Sequence, residues 1–195
     1  SPSMKKVNIL LPLLLCVSIM AIAQSSQEKK IQTEMIMAEN GSVINLDEGS
    51  FSITKSLSID GKKNITIKGK GIDKTVLSFK GQTSGAEGIR VTNCENIILE
   101  DMTVQDSKGD LIKTMHVNGM TFRRVKAEWT GKPSEHNGSY ALYPVQCENV
   151  VIDSCIAIGA SDAGIYVGQS KYIVVKNCTA YQNVAGIEIE NSLYA

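Results

Sequence analysis

IILEDMTV (97–104), MTFRRVKA (120–127), VVIDSCIA (150–157) and IVVKNCTA (173–180) repeat one pattern along the chain. In each segment the inward-looking positions fall at offsets 0, 2, 5 and 7: Ile97/Leu99/Met102/Val104, Met120/Phe122/Val125/Ala127, Val150/Ile152/Cys155/Ala157 and Ile173/Val175/Cys178/Ala180. A two-residue period is that of a strand, whose alternate side chains share a face. The three-residue step marks a short turn between two strands. The segments begin 23, 30 and 23 residues apart. Self-similarity at that period predicts a solenoid, in which one unit cannot bury its apolar face without its neighbours.

A third strand per repeat emerges just upstream of these segments. Leu57/Ile59, Ile89/Val91, Ile112/Thr114, Leu142/Pro144, Ile165/Val167 and Ile187/Ile189 form a column. Its first member lies eight residues before the next strand in each case, at Ile65, Ile97, Met120, Val150 and Ile173. The turn inside each segment is two residues, Glu100-Asp101, Arg123-Arg124, Asp153-Ser154 and Lys176-Asn177. The turn leading into the third strand varies, and an insertion around 131–139 accounts for the spacing of 30. Short strands at 43–46, 51–53 and 57–59 extend the pattern upstream, and a looser Gly-rich stretch lies between 69 and 88. Repeats this short leave no room for a helix beside three strands, and a left-handed hexapeptide period is absent. The expected fold class is all-β, a right-handed parallel β-helix with three-strand rungs.

Upstream of the repeats, Lys5-Lys6 and the apolar run 7–23, ending Ala21-Ile22-Ala23, read as a signal peptide cleaved before Gln24. Leu15 precedes Cys16 where a lipidated cysteine needs a small residue, which argues against a lipoprotein. Residues 24–40 are expected to form a capping helix over 27–40, with Ile31, Met35 and Ala38 on one face and Asn40-Gly41 as the stop. Residues 41–195 form the β-helix domain, which reads as the front part of a longer protein because Ala195 falls one strand into a new rung. The whole chain carries 20 basic and 20 acidic residues; removing 1–23 takes two lysines and leaves −2. That balance argues against nucleic acid as a partner. After 23, no apolar run is long enough to span a bilayer. Cys155 and Cys178 share one rung position with Met102 and Val125, and read as stacked small interior side chains. No Cys/His spacing suggests a metal cage.

The strings Gly164-Ile165-Tyr166-Val167 and Gly186-Ile187-Glu188-Ile189, and the longer run from Gly159 to Val167, resemble those of secreted bacterial right-handed parallel β-helix repeat proteins. That superfamily includes pectate lyases, polygalacturonases, alginate epimerases and a periplasmic protein that helps mature the copper site of nitrous-oxide reductase. The resemblance covers residues from about 41 to the end. It implies the fold and export to the periplasm or the outside. It also implies a substrate groove on the sheet bordered by the variable turns. The Asp-Asp pair and Gly-His-Gly of polygalacturonases and the Asp-Pro-His-Asp of alginate epimerases are missing. Fold resemblance alone does not fix function.

On that sheet the outward positions are Ser58, Arg90, Lys113, Tyr143, Tyr166 and Glu188, flanked by Thr92, Met115, Val145, Gly168 and Glu190. Tyrosine rings suit sugar faces. Arg90 and Lys113 suit a uronate carboxylate. Glu188 and Glu190 could act as acid or base, or bind a cation. Tyr143 is the weakest member, because an inward Pro144 cannot donate to the sheet and a one-residue slip would turn Tyr143 inward. The insertion brings His136, a residue suited to proton transfer. Asp106, Asp110 and Asp162 lie in variable turns where calcium could collect, but no Asp-x-Asp pattern supports it. Asn40, Asn64, Asn137 and Asn177 begin Asn-x-Ser/Thr triplets, of consequence only in a glycosylating host. Two functions follow. One is an exported protein that binds or modifies polysaccharide, with acidic sugars favoured and lyase, epimerase or hydrolase chemistry in view. The other is a non-catalytic periplasmic or surface scaffold, a metal-site maturation role included.

Overall fold

The computed structural model describes residues 10–195, with side chains from Leu15 onward. Among the described residues one helix, α1 (Leu10–Met37), precedes fourteen strands. These are β1 (Val43–Asn45), β2 (Gly49–Ser52), β3 (Lys55–Asp60), β4 (Lys63–Lys68), β5 (Thr75–Ser78), β6 (Ser84–Gln105), β7 (Ile112–Glu128), β8 (Tyr140–Val145), β9 (Glu148–Asp153), β10 (Ile156–Ile158), β11 (Ala163–Gly168), β12 (Lys171–Lys176), β13 (Thr179–Tyr181) and β14 (Ala185–Glu190). Every strand pairing is parallel, and the pairings sort into three faces. The first face stacks β1, β4, the middles of β6 and β7, β9 and β12. The second stacks β2, β5, the ends of β6 and β7, β10 and β13. The third stacks β3, the starts of β6 and β7, β8, β11 and β14. β6 and β7 are long because the chain keeps its pairing with the next rung as it rounds two corners.

The corners are built from residues that tolerate a left-handed backbone. Asp101, Arg124, Ser154 and Asn177 have φ of 59, 49, 57 and 55°, and each is the second residue of a two-residue turn. Asn93, His116, Gln146, Gln169 and Asn191 do the same where the third face meets the first, with φ between 48 and 56°. The bend requires this conformation, which disfavours β-branched residues and favours Asn, Asp and Gly.

The interior is as the period-2 pattern predicts. Ile97, Leu99, Met102, Val104, Met120, Phe122, Val125, Ala127, Val150, Ile152, Cys155 and Ala157 have no exposed surface. In the last rung Val175, Cys178 and Ala180 are partly buried against that core. The third-face register is that of the column, Leu57↔Ile89↔Ile112↔Leu142↔Ile165↔Ile187. Pro144 does point inward, opposite Thr114, and the one-residue slip does not occur. On its other side the pairing runs Tyr140↔Ala163, Leu142↔Ile165 and Val145↔Gly168, and lapses at Pro144, which has no N–H.

The helix corrects the expectation in extent. It runs unbroken from Leu10 to Met37 rather than over 27–40, because residues 13–37 contain neither Gly nor Pro to stop it. The three residues picked from the periodicity are the buried ones: Ile31 and Met35 in α1, and Ala38 just past its end. The helix packs on β2 and β3. Glu28 ties it down by accepting hydrogen bonds from the backbone N–H groups of Thr54 (2.7 Å) and Lys55 (3.0 Å). Leu15, Val17, Ile19, Met20 and Ile22, in its first half, are exposed. Among the described residues no helix is long and apolar enough to cross a membrane. Lys5 and Lys6, the basic start of the expected leader, lie outside the described residues.

Candidate binding face

The third face carries its outward residues in register. Ser58 lies beside Arg90, Arg90 beside Lys113, Lys113 beside Tyr143, and Tyr166 beside Glu188. Neighbouring rungs are about 4.8 Å apart, so the ladder from Arg90 to Glu188 spans roughly 19 Å. Tyr143 and Tyr166 meet edge to face, with ring centroids 5.4 Å apart.

Tyr140 completes the cluster, and alternation alone did not find it. Counting back by twos from Leu142 puts Tyr140 inside. Ala141 and Leu142 are instead both buried, so the strand breaks its alternation where it leaves the insertion. Tyr140 is thereby turned outward. Its ring stacks on Tyr166 at 4.5 Å and lies 4.6 Å from Tyr143. Tyrosine pairs at these separations stabilise one another and hold their faces in fixed positions.

The charges along the face are segregated. Arg90 and Lys113 form no ion pair among the described residues. The Lys113 ammonium sits 5.5 Å over the Tyr143 ring. At the other end Tyr166 donates its hydroxyl hydrogen bond to Glu190 Oε2 at 2.8 Å, and Tyr140 donates to Asp162 Oδ2 at 3.3 Å. These carboxylates hold both phenols protonated: Tyr166 is pushed up to about 12 by Glu190 first and burial second, and Tyr140 to about 12 by burial first and Asp162 second. Glu188 is half-buried in the same ladder.

Asp110 is the residue whose reading changes most. The sequence makes it a turn former. The structure sets it half-buried at the edge of the tyrosine cluster, where its Oδ1 accepts the Tyr140 N–H at 3.1 Å. Burial pushes its carboxyl up to about 6, against the pull of that N–H and of Lys113, and Glu87 adds to the rise. Burial first, and the Asp110 charge second, push Tyr143 up in turn. The signal for Asp110 was not local, because its partner lies across the 130s insertion.

His136 is on the exposed insertion loop. Its backbone N–H donates to Ser134 Oγ at 3.1 Å and its Nε2 is 3.9 Å from Glu135. The loop contributes Tyr140 to the third face, while its Pro133–Glu135 segment lines a shallow hollow with Ala160, Ser161 and Asn183. The three turn aspartates do not converge. Asp106 caps Thr130, Asp110 holds Tyr140, and Asp162 accepts the Tyr140 hydroxyl. Among the described residues no group of three His, Cys, Asp or Glu side chains is placed to hold a metal ion.

With the rungs and this face established, the comparisons with known proteins settle the family. The model of the right-handed β-helix region matches residues 30–193. The chain belongs to the right-handed β-helix family. A pre-neck appendage protein of Bacillus phage B103 is 24% identical to this β-helix chain over an alignment of 186 positions that covers 78% of the chain and 21% of that protein. The chain thus spans about a fifth of the length of that relative. A solved structure of a pectin methylesterase mutant in complex with a hexasaccharide aligns at a TM-score of 0.41 and 10% identity, over 75% of this chain and 61% of that one.

Proposed function

We propose that the chain is an exported β-helix protein that binds or modifies an acidic polysaccharide along the third face. The observation that carries the reading is a packed trio of tyrosines, Tyr140, Tyr143 and Tyr166, on the same ladder as two cations, Arg90 and Lys113, that form no ion pair among the described residues. The rings offer rigid apolar surface with polar tips, which suits stacking on a pyranose. A polymer lying along the axis meets the cations at one end, and Arg90 can take a carboxylate in two-pronged fashion. Glu188 and Glu190 at the other end repel a second carboxylate and favour a neutral or hydroxyl-rich sugar there. Asp110, with its raised carboxyl, is the group on this face suited to exchange a proton near neutral pH. Export is supported by the exposed apolar first half of α1, which the rungs leave uncovered.

The test is a binding screen of the whole chain against pectate, alginate and glycosaminoglycans, with uncharged polymers as controls. Unsaturated products and reducing ends are followed in parallel. We expect saturable binding to at least one acidic polymer, weakened at least tenfold in an Arg90→Ser/Lys113→Ser double variant whose melting is unchanged. Equal binding by the double variant, or none by either protein, overturns the reading. The similarity to a phage appendage protein supports a second reading, a non-catalytic scaffold in a larger assembly. Binding without turnover fits that scaffold; turnover removes it.

A further inference from the structure

We propose that Cys155 and Cys178 form a redox-sensitive pair that closes an inter-rung disulfide between the fifth and sixth rungs. The pairing follows from register. β10 and β13 align Ile156 with Thr179 and Ala157 with Ala180, so Cys155 and Cys178 face each other one position earlier. The Thr179 N–H donates to the Cys155 carbonyl at 2.9 Å, which locks that register at the cysteines themselves. Parallel strands about 4.8 Å apart place the two Cα atoms within the window of roughly 4.4–6.8 Å that a disulfide spans.

The side chains are aligned as well. Cys155 Sγ rests 3.4 Å from the Asp153 carbonyl, and Cys178 Sγ 3.2 Å from that of Lys176, the residue two before in each case. Equal partners in successive rungs mean equal side-chain directions, so one thiol lies above the other. Both are free in this structure. They also differ in acidity. The Cys155 thiol beside it draws the Cys178 thiol down. Cys155, beside the Cys178 thiol and buried, is pushed well up. Cys178 is half-buried and Cys155 fully so. A thiolate is the attacking form, so Cys178 attacks and Cys155 resolves.

The other cysteines supply the contrast. Cys94 is opposite Val117, and Cys147 lies one rung beyond Val117. Two rungs separate that pair by about 9.6 Å, too far for a bridge. Cys16 is on the exposed part of α1, away from the rungs.

With oxidised glutathione the step balances. The Cys178 thiolate attacks one sulfur of the glutathione disulfide; the S–S bond breaks and one glutathione thiolate leaves. Cys155 then loses its proton and attacks Cys178 Sγ, expelling the second glutathione. Two protein thiols are oxidised and one glutathione disulfide is reduced to two thiols.

The experiment is equilibration of the full chain with oxidised or reduced glutathione, an acid quench, alkylation in denaturant so that buried thiols are reached, digestion and mass spectrometry. The expected result is a peptide pair joined through Cys155 and Cys178, lighter by two hydrogens, restored by reductant, with Cys94 and Cys147 alkylated throughout. The oxidised protein should melt higher, by about 5 °C, because the bridge constrains the unfolded chain. Cys155→Ala, which keeps a small side chain in the core, should hold a lasting glutathione adduct on Cys178. Cys178→Ala should leave Cys155 unmodified. Full alkylation of both cysteines after oxidation, or a bridge to Cys94 or Cys147, overturns the proposal. So does a stable glutathione adduct on Cys178 in the unsubstituted chain. None of these readouts involves a polysaccharide.

Discussion

The corner between the first and second faces and the ladder of the third face use similar charged residues on the same rungs, with opposite results. At the corner Arg124 lies 2.6 Å from Asp101 and 3.6 Å from Glu100, and Arg123 lies 3.5 Å from Glu100. Lys68 reaches Glu100 at 3.9 Å, and Lys176 reaches Asp153 at 3.8 Å. Register explains it, because Glu100 is stacked beside Arg123 and Arg123 beside Asp153, so signs alternate up the column. On the third face register stacks Arg90 beside Lys113, then the tyrosines, then Glu188. Like charges side by side on neighbouring strands are unfavourable. A corner of alternating charge satisfies itself. A face of segregated charge leaves its cations open to an anion from outside.

Both regions hang on one interior, and cutting into it should remove them together. Phe122 is fully buried in the fourth rung. Phe122→Ala should destabilise the chain by about 3–5 kcal/mol, because the stacked rungs cannot collapse onto the cavity. Chemical denaturation reads the loss, and binding should fall only as far as the folded fraction does.

Charge reversal separates the two regions. Lys113→Glu should weaken binding of an acidic polymer by roughly 30-fold, about 2 kcal/mol, chiefly through slower association at low salt. It should leave melting within a degree or two. A loss of melting comparable to that of Phe122→Ala would make Lys113 a structural residue and end the contrast.

How far these features were legible follows from how local they are. The eight-residue offset from column to strand gave the third-face register, and with it the neighbours Arg90, Lys113, Tyr143, Tyr166 and Glu188. Alternation within strands gave the interior, cysteines included. It failed at Tyr140, where Ala141 and Leu142 are buried in succession after a seven-residue insertion. Asp110 was out of reach for a related reason. Its backbone partner is the Tyr140 N–H, 30 positions away, and only the folded insertion brings the two together. The long α1 was missed because periodicity marks the part of a helix that touches a core, whereas its start depends on the absence of a stop.

Asp110 tests the face through pH. Its carboxyl is at about 6 in the folded chain, against 3.8 ordinarily. A group raised in this way contributes stability that is fully present below 3.8 and lost as pH rises through 6. Asp110→Asn keeps an acceptor for the Tyr140 N–H and removes the charge. It should stabilise the chain at pH 7.5 by about 1–2 kcal/mol, change nothing at pH 3.5, and flatten the slope between. Binding of an acidic polymer at pH 7.5 should tighten by about threefold, since a negative charge next to Lys113 is gone. An unchanged slope would place Asp110 in water and detach it from the tyrosines.

The smallest effect belongs to the corner. Arg124 has two opposing terms there. Its guanidinium pairs with Asp101 through Nε at 2.6 Å and Nη2 at 3.0 Å, with the side chain about half exposed at 49%. Such a bidentate pair contributes about 0.5–1 kcal/mol. Its backbone, at φ 49°, is in the left-handed region, which disfavours a side chain by roughly 1–2 kcal/mol relative to glycine. Arg124→Ala therefore loses the pair and keeps the strain, and should be less stable by about 0.5–1 kcal/mol. Arg124→Gly loses the pair and relieves the strain, and should melt at or slightly above the unsubstituted chain. Neither should alter polymer binding. If glycine proved the less stable of the two, the left-handed backbone at Arg124 would cost a side chain nothing there, and the lost ion pair alone would account for the weaker Arg124→Ala variant.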